Sequence, residues 1–528
     1  MSGVLVEIRD LALTRPGADR PGLERFSLSL QRAEIVTLLG EADSGKDLLL
    51  RYLDGSERCD GALGSVRFGE GEVLPAGRRT GLPFRAAYLP PARPLPLSPR
   101  ASAASQLSRI VARKLECPRG AAREDLRAAL ARIEGAPPFD QFRRPAESLS
   151  DAALSFGLLA AALAIAPELV LCDHFFDGLS PASAAALCSA LRAERARLGF
   201  AILYAASGPQ AVARLGGRAI VLRQGRIVEE GDAEHLMSGQ THAYTRSLFG
   251  ALPQPLSPAP QRPTPRGEPL LQVYGLLLQS GGRKAPKAPS RHALNFELRR
   301  GASLALLGEE GSGRRALMRA VLGLERRPGR IVFDAVDIGL LSETMMLRLR
   351  RRVAIVTGAD DALDPRMSLF DTVDEPLRAH LRLSEDLAAG YRETALKRVG
   401  LHAYDGRAPV SSLSPFDRRR LQIARAIVAA PLLVVVDEPL RGLDAIAQTT
   451  IRDLLAEFRV EQQAAFLVIT SDFAIAQVLA DEAMVFSEGK LAERGQIRSL
   501  LSAPKTEATR ALIAAAARRP LSPAAAPV

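Results

Sequence analysis

Tryptophan is absent from the 528 residues, and aromatic side chains make up only 5% of them. That inventory argues against the rows of stacking rings that hold unpaired bases. Cysteine is scarce too: Cys59, Cys117, Cys172 and Cys188 all lie in the first half and no two form a CxxC pair. Thiols scattered in this way exclude a zinc-ribbon type of metal site and suit a reducing compartment. The start, MSGVLVEIRDLALTR, lacks the charged head, apolar run and small-residue cleavage site of a secretion signal. A cytoplasmic protein is expected. Long apolar runs are nearly missing as well. The one that approaches bilayer length, Ala152 to Cys172, is interrupted by Pro167 and Glu168. It corresponds to LQIARAIVAAPLLVVVD further on, which carries Gln422 and Arg425, so the expectation is a buried helix followed by a buried strand.

Charge of one sign is in excess, with 70 Lys and Arg against 59 Asp and Glu, a net of +11. Distribution decides what that means. The arginines are spread along the chain, as in RRPGR (326–330) and RLRRR (348–352), with no aromatics interleaved. This is the pattern of solvated faces, and no nucleic-acid partner is expected. Hydrophobic residues at 47% with 24% charged are enough to build sizeable cores.

What the chain does have is one unit written twice. GEADSGK at Gly40 to Lys46 returns as GEEGSGR at Gly308 to Arg314. A displacement of 264 residues carries Leu149-Ser150 onto Leu413-Ser414, Asp173 onto Asp437, Ser207 onto Ser471 and Gly225 onto Gly489. Repetition on this scale fixes the architecture first. The first copy is expected over residues 1–252, a proline-rich linker over 253–269, the second copy over 270–519 and a disordered tail over 520–528. Each copy runs through short strands, a strand–glycine turn–helix unit, a helical middle, and further apolar strands alternating with helices. The fold class that follows is α/β, a mainly parallel sheet in each copy covered by helices.

GxxxxGK followed by Ser or Thr cradles phosphate: glycines let backbone N–H groups curl round the anion, lysine reaches the outer phosphates and the hydroxyl ligates Mg²⁺. The first cradle keeps Gly40, Ser44, Gly45 and Lys46 but has Asp47 in the hydroxyl position, close to phosphate oxygens of like sign. The second keeps Gly308, Ser312 and Gly313, with Arg314 for lysine and Arg315 for the hydroxyl. A guanidinium fork holds phosphate but is no point-charge substitute for lysine, and Arg315 cannot bind a metal. Strand before, helix after, and an acid-ended apolar strand about 130 residues later raise the motif above an ordinary glycine turn.

With these residues in place the chain resembles the ATP-binding subunits of ABC transporters, and among them those of peptide and nickel importers. The family signature LSGGQ stands as LSDAA (Leu149 to Ala153) and as LSPFD (Leu413 to Asp417) followed by RRRLQIARAI. The Walker B strand ends at Asp173-His174 and at Asp437-Glu438, and the following loop is GLS with Ser180 and GLD with Asp444. HAYTRSLFGALP, His242 to Pro253, is similar to the ending of peptide-importer ATPases. The resemblance implies two tandem ABC-type P-loop ATPase domains, each with a helical subdomain near 100–150 and 365–412 and an antiparallel portion near its start.

It also implies a head-to-tail sandwich. Site one would combine Lys46, Asp47, Asp173 and His174 with Ser414 and Asp444. Site two would combine Arg314, Arg315, Asp437 and Glu438 with Ser150 and Ser180. ATP and Mg²⁺ are the implied cofactors, Asp173 and Asp437 the implied metal ligands and Glu438 the implied catalytic acid; the second cradle is the poorer fit for both cofactors. Departures are numerous. The family's sensing glutamine corresponds to Pro91 and Thr357, its switch histidine to Ser207 and Ser471, and its adenine-stacking aromatic to Arg15 and Ser280. His174 stands for the catalytic glutamate in site one, a passive substitution at a strand end. No composite site holds lysine, metal hydroxyl, glutamate and histidine together, so hydrolysis is expected to be weak or absent.

The function expected is a fused nucleotide-binding subunit of a peptide- or nickel-type importer, peripheral on the cytoplasmic face of the cell membrane. Its partners would be two permease subunits and, through them, a solute-binding protein, with the two halves paired within the chain. The alternative is a non-catalytic ABC-fold scaffold or regulator, favoured by the altered glycines as Lys46 and the DEP segment favour transport. A soluble tandem ABC protein acting on ribosomes or DNA is disfavoured by the proline-rich linker and the poor stacking inventory.

Overall fold

The computed structural model describes residues 3–16, 21–42, 44–57, 59, 61–71, 73–75, 84–91, 96–250, 267–278, 293–359, 362–380 and 383–517. Most of the expected linker, the tail and the Ser280 position lie outside them. Four sheets appear, two in each half, and the second pair repeats the first strand for strand.

In the first half the larger sheet runs Arg226–Asp232, Arg218–Arg223, Ile35–Leu39, Ala201–Ala206, Leu169–Asp173, Ala86–Leu89, parallel throughout except for the first strand. Its second-half counterpart runs Lys490–Gln496, Glu482–Ser487, Ser303–Leu307, Ala465–Thr470, Leu433–Asp437, Val353–Thr357, with the same single reversal. The inner strands are buried along their whole length, which is why they read as unbroken apolar runs rather than as alternation. Successive side chains still leave on opposite faces. Val170, Cys172, Ile202 and Tyr204 join the helical core, while Leu169, Leu171, Ala201 and Leu203 pack toward the smaller antiparallel sheet. That smaller sheet holds Leu23–Gln31, Val4–Thr14, Gly61–Phe68 and Val73–Pro75, and its equivalent opens the second half.

Between cradle and acid strand lie the helices Ala103–Leu115 and Arg119–Arg132 in one half and Leu369–His380 and Glu385–Arg398 in the other. The apolar run that approached bilayer length is helix Asp151–Ala164 followed by strand Leu169–Asp173. The helix is buried on almost every side, so its hydrophobicity serves the core. No helix among the described residues is long and apolar enough to cross a membrane.

The halves are joined reciprocally. Helix Ala243–Gly250 at the end of the first half packs on Ala445–Gln462 of the second, and Glu507–Ala517 packs on Pro181–Leu198 of the first. Each pair is the other displaced by the repeat, so the contact has an approximate two-fold relation. It brings the signature helix of the first half against the cradle of the second.

Candidate nucleotide sites

Each cradle is a strand, a glycine turn and a helix. Gly45 and Gly313 sit at the N-termini of helices Lys46–Asp54 and Arg314–Val321 with φ of 89° and 100°, left-handed backbone that glycine adopts without strain. At Gly45 a Cβ would also lie 2.1 Å from the Gly22 carbonyl oxygen. The residue after each strand-end acid is left-handed too, His174 at φ 50° and Glu438 at φ 46°. Non-glycine residues held there cost about 1–3 kcal/mol, a strain that collects at functional turns.

Lys46 is completely buried, and its Nζ donates to the Glu41 carbonyl at 2.8 Å and lies 3.5 Å from Asp47 Oδ1. Asp47 also faces Arg15 at 3.5 Å and His174 Nε2 at 3.9 Å. Burial opposes ionisation of Asp47, yet His174 and Lys46 hold its carboxyl well below the usual range. His174 Nδ1 lies 2.6 Å from Asp177 Oδ2 and 2.8 Å from Ser207 Oγ. Burial disfavours the charged ring, but Asp177 and Asp47 outweigh it and push His174 up to about 9. Asp173 Oδ2 receives Tyr88 Oη at 2.5 Å and Arg51 Nε at 3.2 Å, and its Oδ1 is buried with no hydrogen-bond partner among the described residues. Tyr244, from the HAYTR segment, accepts the Glu41 N–H at 3.2 Å and lies under Arg223.

In the second half Arg314 donates to Glu438 Oε1 at 2.7 Å, where the Ser471 N–H also arrives at 3.0 Å. Arg315 Nε lies 3.4 Å from Asp437 Oδ2. Burial raises the Asp437 carboxyl against the pull of Arg315, and neighbouring Glu438 raises it further.

The first half closes over this cradle. Asp151 N donates to Glu310 Oε2 at 3.0 Å, Ser180 Oγ donates to Glu309 Oε2 at 2.5 Å, and Asp151 forms an ion pair with Arg441. The space left among these residues is about 40 Å³. Site two's cradle, acids and first-half Ser180 thus come together. Ser150 is beside them as cap of helix Asp151–Ala164, accepting from Ala153 N. In site one, Asp444 lies near enough to Tyr244 to raise its hydroxyl, after burial and Glu41 have acted. Ser414 is engaged within its own helix, bonded to Asp417 at 2.7 Å. Thr357, the glutamine counterpart, donates its N–H to Gln422 at 3.0 Å.

The first cradle fits a phosphate through Lys46, and Asp173 Oδ1, with no hydrogen-bond partner among the described residues and His174 Nε2 at 3.9 Å, is the oxygen a cation would contest with His174. The second fits Mg²⁺ poorly: a guanidinium holds the hydroxyl's place and pairs with the acid that would ligate the metal.

Sequence reading did not single out Arg51, Tyr88, Glu309, Glu310, Asp151 or Arg441. For Glu310 and Asp151 the one signal is the repeat itself, since Glu310 corresponds to Ala42 and Asp151 to Pro415.

A family model described as ABC transporter matches residues 291–441. The peptidoglycan transport ATP-binding protein YejF of Agrobacterium fabrum is 28% identical over 97% of this chain and 96% of its own length. The glutathione import ATP-binding protein GsiA of Escherichia coli K12 is 28% identical over 97% of this chain and 89% of its own. Among solved structures, cbiO1 from Clostridium perfringens, described as part of an ABC transporter complex, matches 44% of this chain and 91% of its own at 26% identity and a TM-score of 0.40.

Proposed function

Starting from a chain that belongs to the ABC transporter ATP-binding family, with two cassettes fused in the manner of peptide and nickel importers, we propose that it is the ATP-binding subunit of a peptide-type importer. In this reading ATP is held at the first cradle and hydrolysis is weak or absent. The relatives that span nearly the whole chain are named for peptidoglycan transport and glutathione import, which supports a small peptide-like cargo carried by permease subunits. The chain would sit on the inner face of the membrane, with a solute-binding protein acting through the permease. The domain division at residues 253–269 belongs to the same proposal.

One observation carries the nucleotide reading: Lys46 is retained, is fully buried at the start of the helix that Gly45 caps, and donates to the Glu41 carbonyl of the glycine turn. Lys46 would move from the Glu41 carbonyl to a phosphate oxygen, the turn amides would surround that phosphate, and Asp173 would face the metal, with Asp47 beside the phosphate. A Mg²⁺ held there would supply charge neutralisation at the phosphates. Glu438, the acid expected to position water, is held by Arg314 in a cradle without lysine, and this supports slow turnover. Calorimetric titration of ATP into the full chain, with and without Mg²⁺, tests the reading. Binding in wild type that is lost in Lys46→Ala supports it. No binding at millimolar ATP favours the second reading, a non-catalytic scaffold, for which the 40 Å³ left at the second cradle is the specific observation.

A further inference from the structure

We propose that the second composite site is a protein-only clasp, which holds the two halves together with no nucleotide because carboxylates of its own cradle take the place of phosphate. Glu309 and Glu310 lie in the cradle turn, where a phosphate would be wrapped. Glu310 accepts the N–H of Asp151, the first residue of helix Asp151–Ala164. That is an anion at the positive end of a buried helix of 14 residues, the arrangement by which helix N-termini hold phosphates. Glu309 accepts from Ser180 across the seam. Arg441 then reaches back to Asp151, which is only 4% exposed, so the contact runs in both directions.

The charges behind the seam are also met from within. Arg314 faces Glu438 and Arg315 faces Asp437 and Glu310. Of these Arg314 is enclosed, and a charge so enclosed persists when it is paired, whereas Arg315 and Glu310 stay partly in solvent. A remaining space of about 40 Å³ is far below the roughly 300 Å³ at which small-molecule sites begin.

The other composite site keeps only one of these parts, Glu41 where the second cradle has Glu309. Where the second cradle has Glu310, the first has Ala42; where the first signature has Asp151, the second has Pro415, which has no N–H to give; where Ser180 donates, Asp444 cannot. The seam is therefore bolted by protein at one site and left for a ligand at the other. The clasp stands whether or not the first cradle binds ATP.

Hydrogen exchange of the full chain, in EDTA and without nucleotide, tests it. Peptides covering residues 148–156 should be protected in wild type and unchanged by ATP. Arg441→Ala and Glu310→Ala, each checked for native circular dichroism, should raise exchange there tenfold or more while peptides of strand Leu169–Asp173 stay protected. Fast exchange at 148–156 in the apo wild type, protection that appears only on adding ATP, or indifference to both substitutions in folded variants would overturn the clasp. A titration of ATP that fails in the calorimeter would leave this result standing, so the two readings fail separately.

Discussion

Asp47 is the residue whose replacement says most about the first cradle. Its Oδ1 lies 3.5 Å from Lys46 Nζ, so a phosphate oxygen taken by Lys46 at about 2.8 Å would come within roughly 4–6 Å of a carboxylate that its neighbours keep ionised. Two like charges about 5 Å apart repel by about 3 kcal/mol at an effective dielectric constant near 20. Arg15 and His174 already neutralise part of that charge, being 3.5 and 3.9 Å from it. A net penalty of about 1–2 kcal/mol remains. Asp47→Ser removes it and supplies the hydroxyl the motif lacks, so ATP affinity should rise by about 5- to 30-fold. Calorimetric titration at fixed ionic strength reads the change directly. Equal or weaker binding by Asp47→Ser, with Lys46→Ala still abolishing it, would refute the argument, because it would mean that the Asp47 carboxylate does not face the bound phosphate.

Three further outcomes follow from the structure. Burial pushes Asp472 up to about 6, against the Ala474 N–H that it caps, so its contribution to stability is complete below pH ~4 and is lost as pH rises through 6; Asp472→Asn keeps the cap and should be about 1–3 kcal/mol more stable than wild type at pH 8 and equal to it at pH 4, read from urea unfolding at the two pH values. In helix Asp151–Ala164 a Cβ on Gly157 would lie 2.5 Å from the Phe142 ring and 2.9 Å from Leu107, so Gly157→Ala should destabilise by about 1–2 kcal/mol in thermal unfolding, with Phe142→Leu restoring part of it. Glu229 caps the tail helix through Thr241 N at 2.7 Å and His242 N at 3.2 Å; burial opposes its ionisation, but these bonds with those of Thr245 hold it at about 2, so its stabilisation is present above pH ~4.5 and lost as pH falls toward 2, and Glu229→Gln should speed proteolysis near residues 240–250 at neutral pH and abolish the acid dependence.

What the sequence made legible was whatever repeats or is local. The parallel sheet could be read because its strands are buried on both faces and therefore apolar without interruption, as in LVVVD. The cradles could be read because a phosphate turn needs glycines at fixed spacing. The partners of the strand-end acids could not. Tyr88 and Arg51 meet Asp173 from 85 and 122 residues away, and nothing local marks an arginine in a helix as the one that will face a buried carboxylate. Glu309 and Glu310 occupy positions that the motif leaves free, so pattern reading passed over them. Tyr244 lay inside a quoted segment, yet its contact with the Glu41 amide depends on how the tail helix folds back over the turn.

The form of the losses bears on whether this chain is a degraded copy. A cradle that decays by unselected substitution loses lysine and hydroxyl and leaves its acids facing one another without cations. Here the two arginines meet acids that the half has kept. Arg314 meets Glu438, Arg315 meets Asp437, and Glu309 and Glu310 meet a hydroxyl and an amide of the other half. Arg314 is buried against Glu438, and an enclosed charge left without its partner is costly, so the acid that this half keeps needs the cation that replaces lysine. Three changed cradle residues, Arg314, Arg315 and Glu310, each meet a partner, the first two an acid of their own half and the third an amide of the other, as a site suited to holding would require.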